Sequence, residues 1–467
     1  MRIQRGSLNS LISAIRVEGL FGLYTYRLPG EGELSDAAIL YGENGVGKST
    51  LLRLSFHLLS GAGDRGHRGA LYNAQFNRLE IDLANGTTLV AAKNDPNYPK
   101  LVNLWITRGE KPLAWWPYLP REERQSAEEQ YYYDPTEGLR IIRTKKMPER
   151  LALFDKSVPY GEEAYLKALR EQVPMVFILH AERRLDSDSV SDPNDEIELR
   201  RLLRLDEPKR ISDLVVRSRS IALSQALAAA ARWVQSKAVQ GANQGSMNVH
   251  SVYKNVLEHL MTPRPVRADA VPDSALPSLI GRLREIETKT TDLAKYELAT
   301  KLSTSDFIKA LSGGRKRKDK QIAASLVQPY VESLEGRLKA LEPIYDVVDH
   351  FVTTLNEFLA DKSVSFKLSK GFKIVNRLGA PLDAAQLSSG EQQLFLLFCY
   401  VLIARDHPSV FMIDEPEISL NIRWQRKLIQ SLLDVTREAR IQFIFASHSM
   451  ELLAQHRSRV VKLENLK

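Results

Sequence analysis

The sequence predicts an α/β fold: a mixed sheet with flanking helices, interrupted by a mostly helical insertion. Three observations lead there. Short apolar runs of strand character occupy both ends of the chain. A glycine-rich loop stands between one such run and a segment of helical spacing. Between 187 and 345 strand signals nearly vanish and helix formers dominate. A length of 467 residues suits two or three domains, with boundaries expected at 1–186, 187–345 and 346–467.

The elements follow in order. Ile12 to Val17, Leu23 to Leu28 and Ala37-Ala38-Ile39-Leu40-Tyr41 read as strands, and Ser49 to Leu59 as a helix. Residues 76–93 form a hairpin, with Leu79 to Leu83 and Thr87 to Val90 flanking the Asn85-Gly86 turn. Residues 96–170 are less legible. Trp115, Trp116 and Tyr131-Tyr132-Tyr133 lie among prolines and charges, a satellite core rather than a base-stacking platform. Pro174 to Leu179 is a buried strand ending in His180-Ala181-Glu182-Arg183-Arg184. The insertion carries helices over Ala222 to Val234, Leu276 to Leu302 and Ile322 to Leu341, with linkers near Gly241–Gly245 and Thr262–Pro265. Sheet character returns with a hairpin from Val364 to Val375, then Phe411-Met412-Ile413 and Phe443-Ile444-Phe445.

Composition narrows the function classes. Hydrophobic residues at 43% and charged residues at 26% exclude a wholly disordered or collagenous chain. The strongly apolar run Leu394–Ala404 is well short of the ~20 residues a membrane helix needs. Met1 to Arg5 leads into no apolar segment, so a cytoplasmic chain without membrane contact is expected. The single Cys399 sits in an apolar run and reads as a buried structural thiol. A net charge of +8 permits nucleic-acid contact without demanding it. The run Arg315-Lys316-Arg317-Lys318-Asp319-Lys320 reads first as a solvated loop, with a phosphate-backbone contact as the alternative.

Gly42-Glu43-Asn44-Gly45-Val46-Gly47-Lys48-Ser49 fits the phosphate-binding pattern G-x-x-x-x-G-K-[ST], in its required context after a strand and before a helix. The glycines let backbone amides turn toward a β-phosphate, and the helix N-terminus adds positive potential. Lys48 is placed to bridge the β- and γ-phosphates, and the Ser49 hydroxyl to hold Mg²⁺, with Thr50 close behind. ATP and Mg²⁺ are the implied cofactors. Such a loop needs a carboxylate on a neighbouring strand. Val410-Phe411-Met412-Ile413-Asp414-Glu415 supplies four apolar residues and then two acids, Asp414 for the metal and Glu415 as general base.

Leu387-Ser388-Ser389-Gly390-Glu391-Gln392-Gln393 resembles the signature motif of ABC-type ATPases, in the variant seen in SMC, Rad50 and OLD-like proteins. Asp414 to Asn421 resembles the Walker B and D-loop run, although Asn421 stands where many ABC proteins carry Asp. Ala446-Ser447-His448-Ser449 resembles the switch-histidine loop. The resemblance covers roughly 1–95 and 365–467 and implies an ABC-type ATPase head. It also implies a γ-phosphate contact for His448 and a head-to-tail dimer in which Ser388 and Gly390 close over the partner's nucleotide. No glutamine stands in an evident Q-loop place, and the strand ending at His180 is the candidate for that work. Leu311-Ser312-Gly313-Gly314 spells a second signature, but no strand ending in acids follows it, so it reads as a loop of the insertion.

Among such ATPases the chain looks like the OLD-related subunits of anti-phage systems, such as PtuA of Septu or AriA of PARIS. One cassette argues against the translation-type proteins, the lone cysteine against a zinc hook, and the few residues after His448 against a fused nuclease. The resemblance implies a homo-oligomer, a dimer or a larger assembly up to a hexamer, and a separately encoded nuclease effector of Toprim or HNH type. The helical insertion is expected to be the recognition or docking module, since function tends to live in segments grafted on a generic core. The alternatives are a DNA-repair or DNA-clamping ATPase of RecF or short-SMC type, and an ATP-binding scaffold without turnover.

Overall fold

The computed structural model describes residues 10–63, 65–93, 100–120, 130–134, 138–142, 159–180, 185–187, 220–243, 275–313, 317–418 and 420–466. Strands run in chain order as β1 (Ile12–Leu20), β2 (Tyr24–Leu28), β3 (Ala37–Tyr41), β4 (Arg78–Leu83), β5 (Thr87–Ala92), β6 (Val102–Arg108), β7 (Lys111–Tyr118), β8 (Gln130–Asp134) and β9 (Gly138–Ile142). They continue as β10 (Met175–Leu179), β11 (Leu185–Ser187), β12 (Lys362–Lys367), β13 (Gly371–Asn376), β14 (Ser409–Asp414), β15 (Ile441–Ala446) and β16 (Val460–Lys462). The chain divides into two compact units, 1–211 with 404–467 and 212–403. The segment from the hairpin β12–β13 through the signature therefore belongs to the mainly helical unit.

The first unit holds two six-stranded sheets. One is antiparallel throughout, in the order β2-β1-β4-β5-β6-β7. The other runs β11-β10-β14-β15-β3-β16 and is parallel except at β11. Its central strands are buried on both faces, which explains their continuous apolar runs. Phe177, Phe411 and Phe443 are cross-strand neighbours there, the first two rings stacked at 4.5 Å. The helix Lys48–Leu59 is covered nearly all round, with Arg53 its exposed residue, and its leucines join the core shared by strands of both sheets. Buried Gln442 satisfies its amide by bonding Leu11 N (3.0 Å), Ile12 N (2.7 Å), Ile12 O (3.0 Å) and Ser35 O (2.9 Å), fixing β15 against the start of β1.

The expected hairpin is β4–β5. Its loop Ala84-Asn85-Gly86 places Gly86 at φ 80, and Asn85 Oδ1 accepts from Thr87 N at 3.0 Å. Trp115 and Trp116 are core residues of β7, as expected. Tyr131–Tyr133 lie on β8, where only the backbone is described. Cys399 is fully buried, and burial pushes its thiol pKa up.

The second unit is built from helical residues 220–243, Ala275–Ala294, Ser305–Ser312, the 42-residue helix Arg317–Phe358, the hairpin β12–β13, and Ser389–Ile403. Two expectations change here. The helix expected over 322–341 runs on to Phe358, through Pro343 as well as Pro329, because Val331, Leu338, Leu341, Val348 and Phe351 bury one continuous stripe. The linker expected at 241–245 is helical to residue 243. Gly241 is there for packing: a Cβ would lie 3.0 Å from Ala340 O, so its absence lets two helices approach closely. The linker expected at 262–265 lies outside the described residues. Among the described residues no helix is long and apolar enough to cross a membrane.

Candidate nucleotide site

The site assembles where β3, β14 and β15, parallel neighbours, end side by side. After β3 the chain makes the phosphate-binding loop. Gly45 and Gly47 hold φ 82 and 93, a left-handed conformation that glycine adopts without strain. At Gly47 a Cβ would lie 2.7 Å from Leu20 Cδ2, so packing also requires glycine. Tyr26 donates its hydroxyl to Val46 O at 2.9 Å, and burial pushes its pKa up to about 12, keeping it a donor. Glu43, Asn44 and Gly45 are exposed at the loop crest, whereas Gly42 is buried beneath it. Thr50, half-buried, follows in the first helical turn.

Lys48 is nearly buried and folds back over its own loop. Its Nζ donates to Gly42 O at 2.8 Å and Glu43 O at 2.9 Å, and lies 3.4 Å from His448 Nδ1. Burial lowers its pKa, against the opposing pull of Glu415, Asp414 and Glu417. An ammonium can only donate, so His448 Nδ1 accepts and a neutral ring carries its proton on Nε2. That nitrogen faces Glu415 Oε1 at 3.9 Å.

Ser49 Oγ donates to Asp414 Oδ1 at 2.8 Å. Burial raises the Asp414 pKa, an effect that the Ser49 bond, Arg53 and His180 only partly offset. A buried carboxylate and a hydroxyl at this separation fit a divalent cation, whose charge would relieve the desolvation. Among the described residues no group of three or more His, Cys, Asp or Glu makes a metal site by itself, so any cation here draws further ligands from elsewhere. Glu415 follows at φ 47, a left-handed conformation unusual for a side chain of this size, with its N–H donated to Ala446 O at 2.8 Å.

The predicted Lys48, Ser49, Asp414, Glu415 and His448 thus come together in one unit. Ser388 and Gly390 lie in the other. There Ser388 opens the helix Ser389–Ile403 in a reciprocal cap: Glu391 Oε2 accepts from Ser388 N at 2.7 Å, and Ser388 Oγ accepts from Glu391 N at 3.4 Å. Burial would raise the Glu391 carboxyl, but Lys362, 2.9 Å from both its oxygens, and Ser388 outweigh that and lower it. Asn421 caps the helix Ile422–Val435 by accepting from Trp424 N at 2.9 Å, a task Asn and Asp perform equally. In the Leu311–Gly314 segment, Ser312 ends a helix and Gly313 caps it. The side chains of the basic run 315–320 lie outside the described residues.

Two residues escaped the sequence reading. Glu417 Oε1 accepts three bonds from the histidine loop: Ser447 Oγ at 2.9 Å, His448 N at 2.7 Å and Ser449 N at 3.1 Å. The strand ending at His180 is the candidate for the Q-loop's work, but no contact of the imidazole is foreseen from the sequence. Leu179 pairs with Ile413, which carries His180 beside Asp414, and the imidazole acts on that carboxyl. Residues 181–184 lie outside the described residues.

A family model described as "AAA domain, putative AbiEii toxin, Type IV TA system" matches residues 275–454. The molybdenum import ATP-binding protein ModC of Escherichia coli K12 is 37% identical over 79 residues, 17% of this chain and 22% of ModC. ModC of Shigella flexneri matches to the same extent. The chain therefore spans about a fifth of the length of these curated relatives. The fold is that of a P-loop ATPase of ABC/AAA type. The parallel sheet order, with β15 between the P-loop strand β3 and the acid-bearing β14, carries that conclusion. Among solved structures, the Smc head domain of Pyrococcus furiosus bound to the C-terminal domain of ScpA covers 98% of this chain and 96% of its own. It does so at 12% identity and a TM-score of 0.34, too loose to add weight.

Proposed function

We propose that the chain binds Mg–ATP in this site, hydrolyses it, and uses the ATP-bound state to control a separately encoded nuclease effector in anti-phage defence. The observation that carries the reading is the convergence of Lys48, Ser49, Asp414, Glu415 and His448 from the ends of three adjacent strands. Ser49 and Asp414 hold the cation, which neutralises charge on the phosphates when bound. Lys48 exchanges its two loop carbonyls for phosphate oxygens. Glu415 accepts a proton from the attacking water, and His448 donates Nε2–H toward the charge developing on the γ-phosphate. On this reading the working form is at least a head-to-tail dimer, with Ser388 and Gly390 meeting the partner's nucleotide.

Two features support the defence assignment. The family that matches is described by a toxin of a toxin–antitoxin system. The helical residues of 187–345 also form an addition that the site does not need, the kind of graft that carries partner recognition. The test is phage plating on cells carrying the gene with its flanking genes. Wild type is expected to reduce plaque formation, and Lys48→Ala and Glu415→Gln to restore it. Equal plating on all three strains contradicts the defence role.

A further inference from the structure

We propose that Glu417 is a positioning residue for the switch histidine, locking the His448 loop to the loop that carries Asp414 and Glu415. The inference rests on the ATPase reading above and names a role for a residue to which the motifs assign none.

The geometry is specific. Parallel pairing of β14 and β15 sets Asp414 opposite Ala446, so the chain leaves both strands at the same level. Glu415 N–H to Ala446 O, at 2.8 Å, is the last backbone bond between them. Beyond it the two loops are joined by side chains. Glu417 Oε1 gathers the Ser447 hydroxyl and the amides of His448 and Ser449, at 2.9, 2.7 and 3.1 Å. Three donors on one carboxylate oxygen define that loop's backbone more tightly than any single bond could. Gln425 adds a second tie: its Oε1 accepts from Ser449 Oγ at 2.8 Å, and its Nε2 donates to Leu420 O at 2.9 Å.

The consequence falls on the ring. With its amide pinned, His448 holds Nδ1 at 3.4 Å from Lys48 Nζ and Nε2 at 3.9 Å from Glu415 Oε1. Both contacts depend on where the main chain places the side chain, so releasing the amides of 447–449 frees the imidazole. Glu417 makes no hydrogen bond to Lys48 or Ser49 and acts on Lys48 through its charge alone, which Glu417→Ala and Glu417→Gln both remove, so nucleotide affinity should change little and alike in the two variants. Its other oxygen, Oε2, is buried and without a hydrogen-bond partner among the described residues. An amide NH₂ placed there sacrifices no bond, and a glutamine carbonyl still accepts all three donors. Alanine removes the acceptor altogether.

The experiment compares Glu417→Ala, Glu417→Gln and His448→Ala with wild type in the full chain. Steady-state turnover, nucleotide affinity and amide hydrogen exchange of peptides spanning 446–450 are measured on each. In Glu417→Ala, kcat is expected to fall roughly 10–100-fold, by analogy with the loss seen when a group orienting a metal-ligating histidine is removed. KM and nucleotide affinity should stay within threefold of wild type while exchange at 447–449 accelerates. Glu417→Gln should keep wild-type exchange and most of the turnover. Glu417→Ala combined with His448→Ala should be no slower than His448→Ala alone. Turnover of Glu417→Ala within twofold of wild type, unchanged exchange at 447–449, or a glutamine variant as impaired as alanine each overturns the proposal. If wild type itself releases no phosphate, the ATPase reading fails and takes the catalytic consequence with it. The exchange comparison then still decides whether Glu417 holds the loop.

Discussion

Glu415 is the residue at which stability and chemistry should separate. Its carboxylate faces His448 Nε2 at 3.9 Å, and it occupies φ 47, where a side chain clashes with its own carbonyl. Holding a non-glycine residue there costs about 1–2 kcal/mol. Glu415→Gln keeps the conformation, the volume and the Ala446 bond, so its stability should lie within about 0.5 kcal/mol of wild type. It lacks the base, and loss of a positioned base typically slows a reaction by about 10²–10⁴, or about 3–5 kcal/mol in the barrier. Glu415→Gly loses the base too but relieves the strain. Set against about 0.5–1 kcal/mol of added unfolded-state freedom, the gain is about 0–1.5 kcal/mol, a rise of at most a few degrees in Tm. The assay is single-turnover phosphate release with thermal melts of all three proteins. Glu415→Gln should also accumulate the ATP-bound oligomer. Hydrolysis by Glu415→Gln at the wild-type rate refutes the assignment of the base. A glycine variant destabilised by more than about 1 kcal/mol refutes the strain argument.

Acid should weaken the fold through His57. Burial, with His67, His180, Arg68 and Arg53 nearby, lowers its pKa from 6.5 to about 4 in the folded chain. Neutral His57 therefore contributes stability above pH 6.5 that is lost as pH falls through about 4, up to about 3 kcal/mol in all. Melts between pH 7 and pH 4 should show a shallower decline for His57→Gln than for wild type, and parallel declines would contradict this. A mixture of Lys48→Ala and Ser388→Arg chains, each inactive alone, should regain ATPase activity, because one composite site of a head-to-tail pair is then intact. No recovery despite proven mixed oligomers would argue against a shared site.

Much of the fold was legible because it obeys simple periodicities. β3, β14 and β15 are continuous apolar runs since both faces of their sheet are covered, and Asn85-Gly86 announces the only backbone path that joins β4 to β5 so tightly. β7 escaped because its buried residues Ala114 to Pro117 are contiguous rather than alternating, and because Pro112 and Pro117 are rare within strands. The motif residues could be read since the phosphate-binding pattern demands fixed residue types at a fixed spacing. Glu417 could not. An acid after Asp414-Glu415-Pro416 looks like any solvated turn, and its purpose exists only when β15 lies beside β14 and delivers residues 447–449 to it. His180 is the same case, since only the pairing of β10 with β14 puts an imidazole beside the Asp414 carboxyl.

On the proposed reading, Lys48, Ser49, Asp414, Glu415 and His448 form one Mg–ATP hydrolytic site. The most direct measurement is phosphate release by purified wild type and Lys48→Ala with Mg–ATP, with and without excess EDTA. Wild type should release phosphate steadily, EDTA should abolish that release, and Lys48→Ala should lack it. Equal release from both chains, or none from wild type while ATP binds, would contradict that reading.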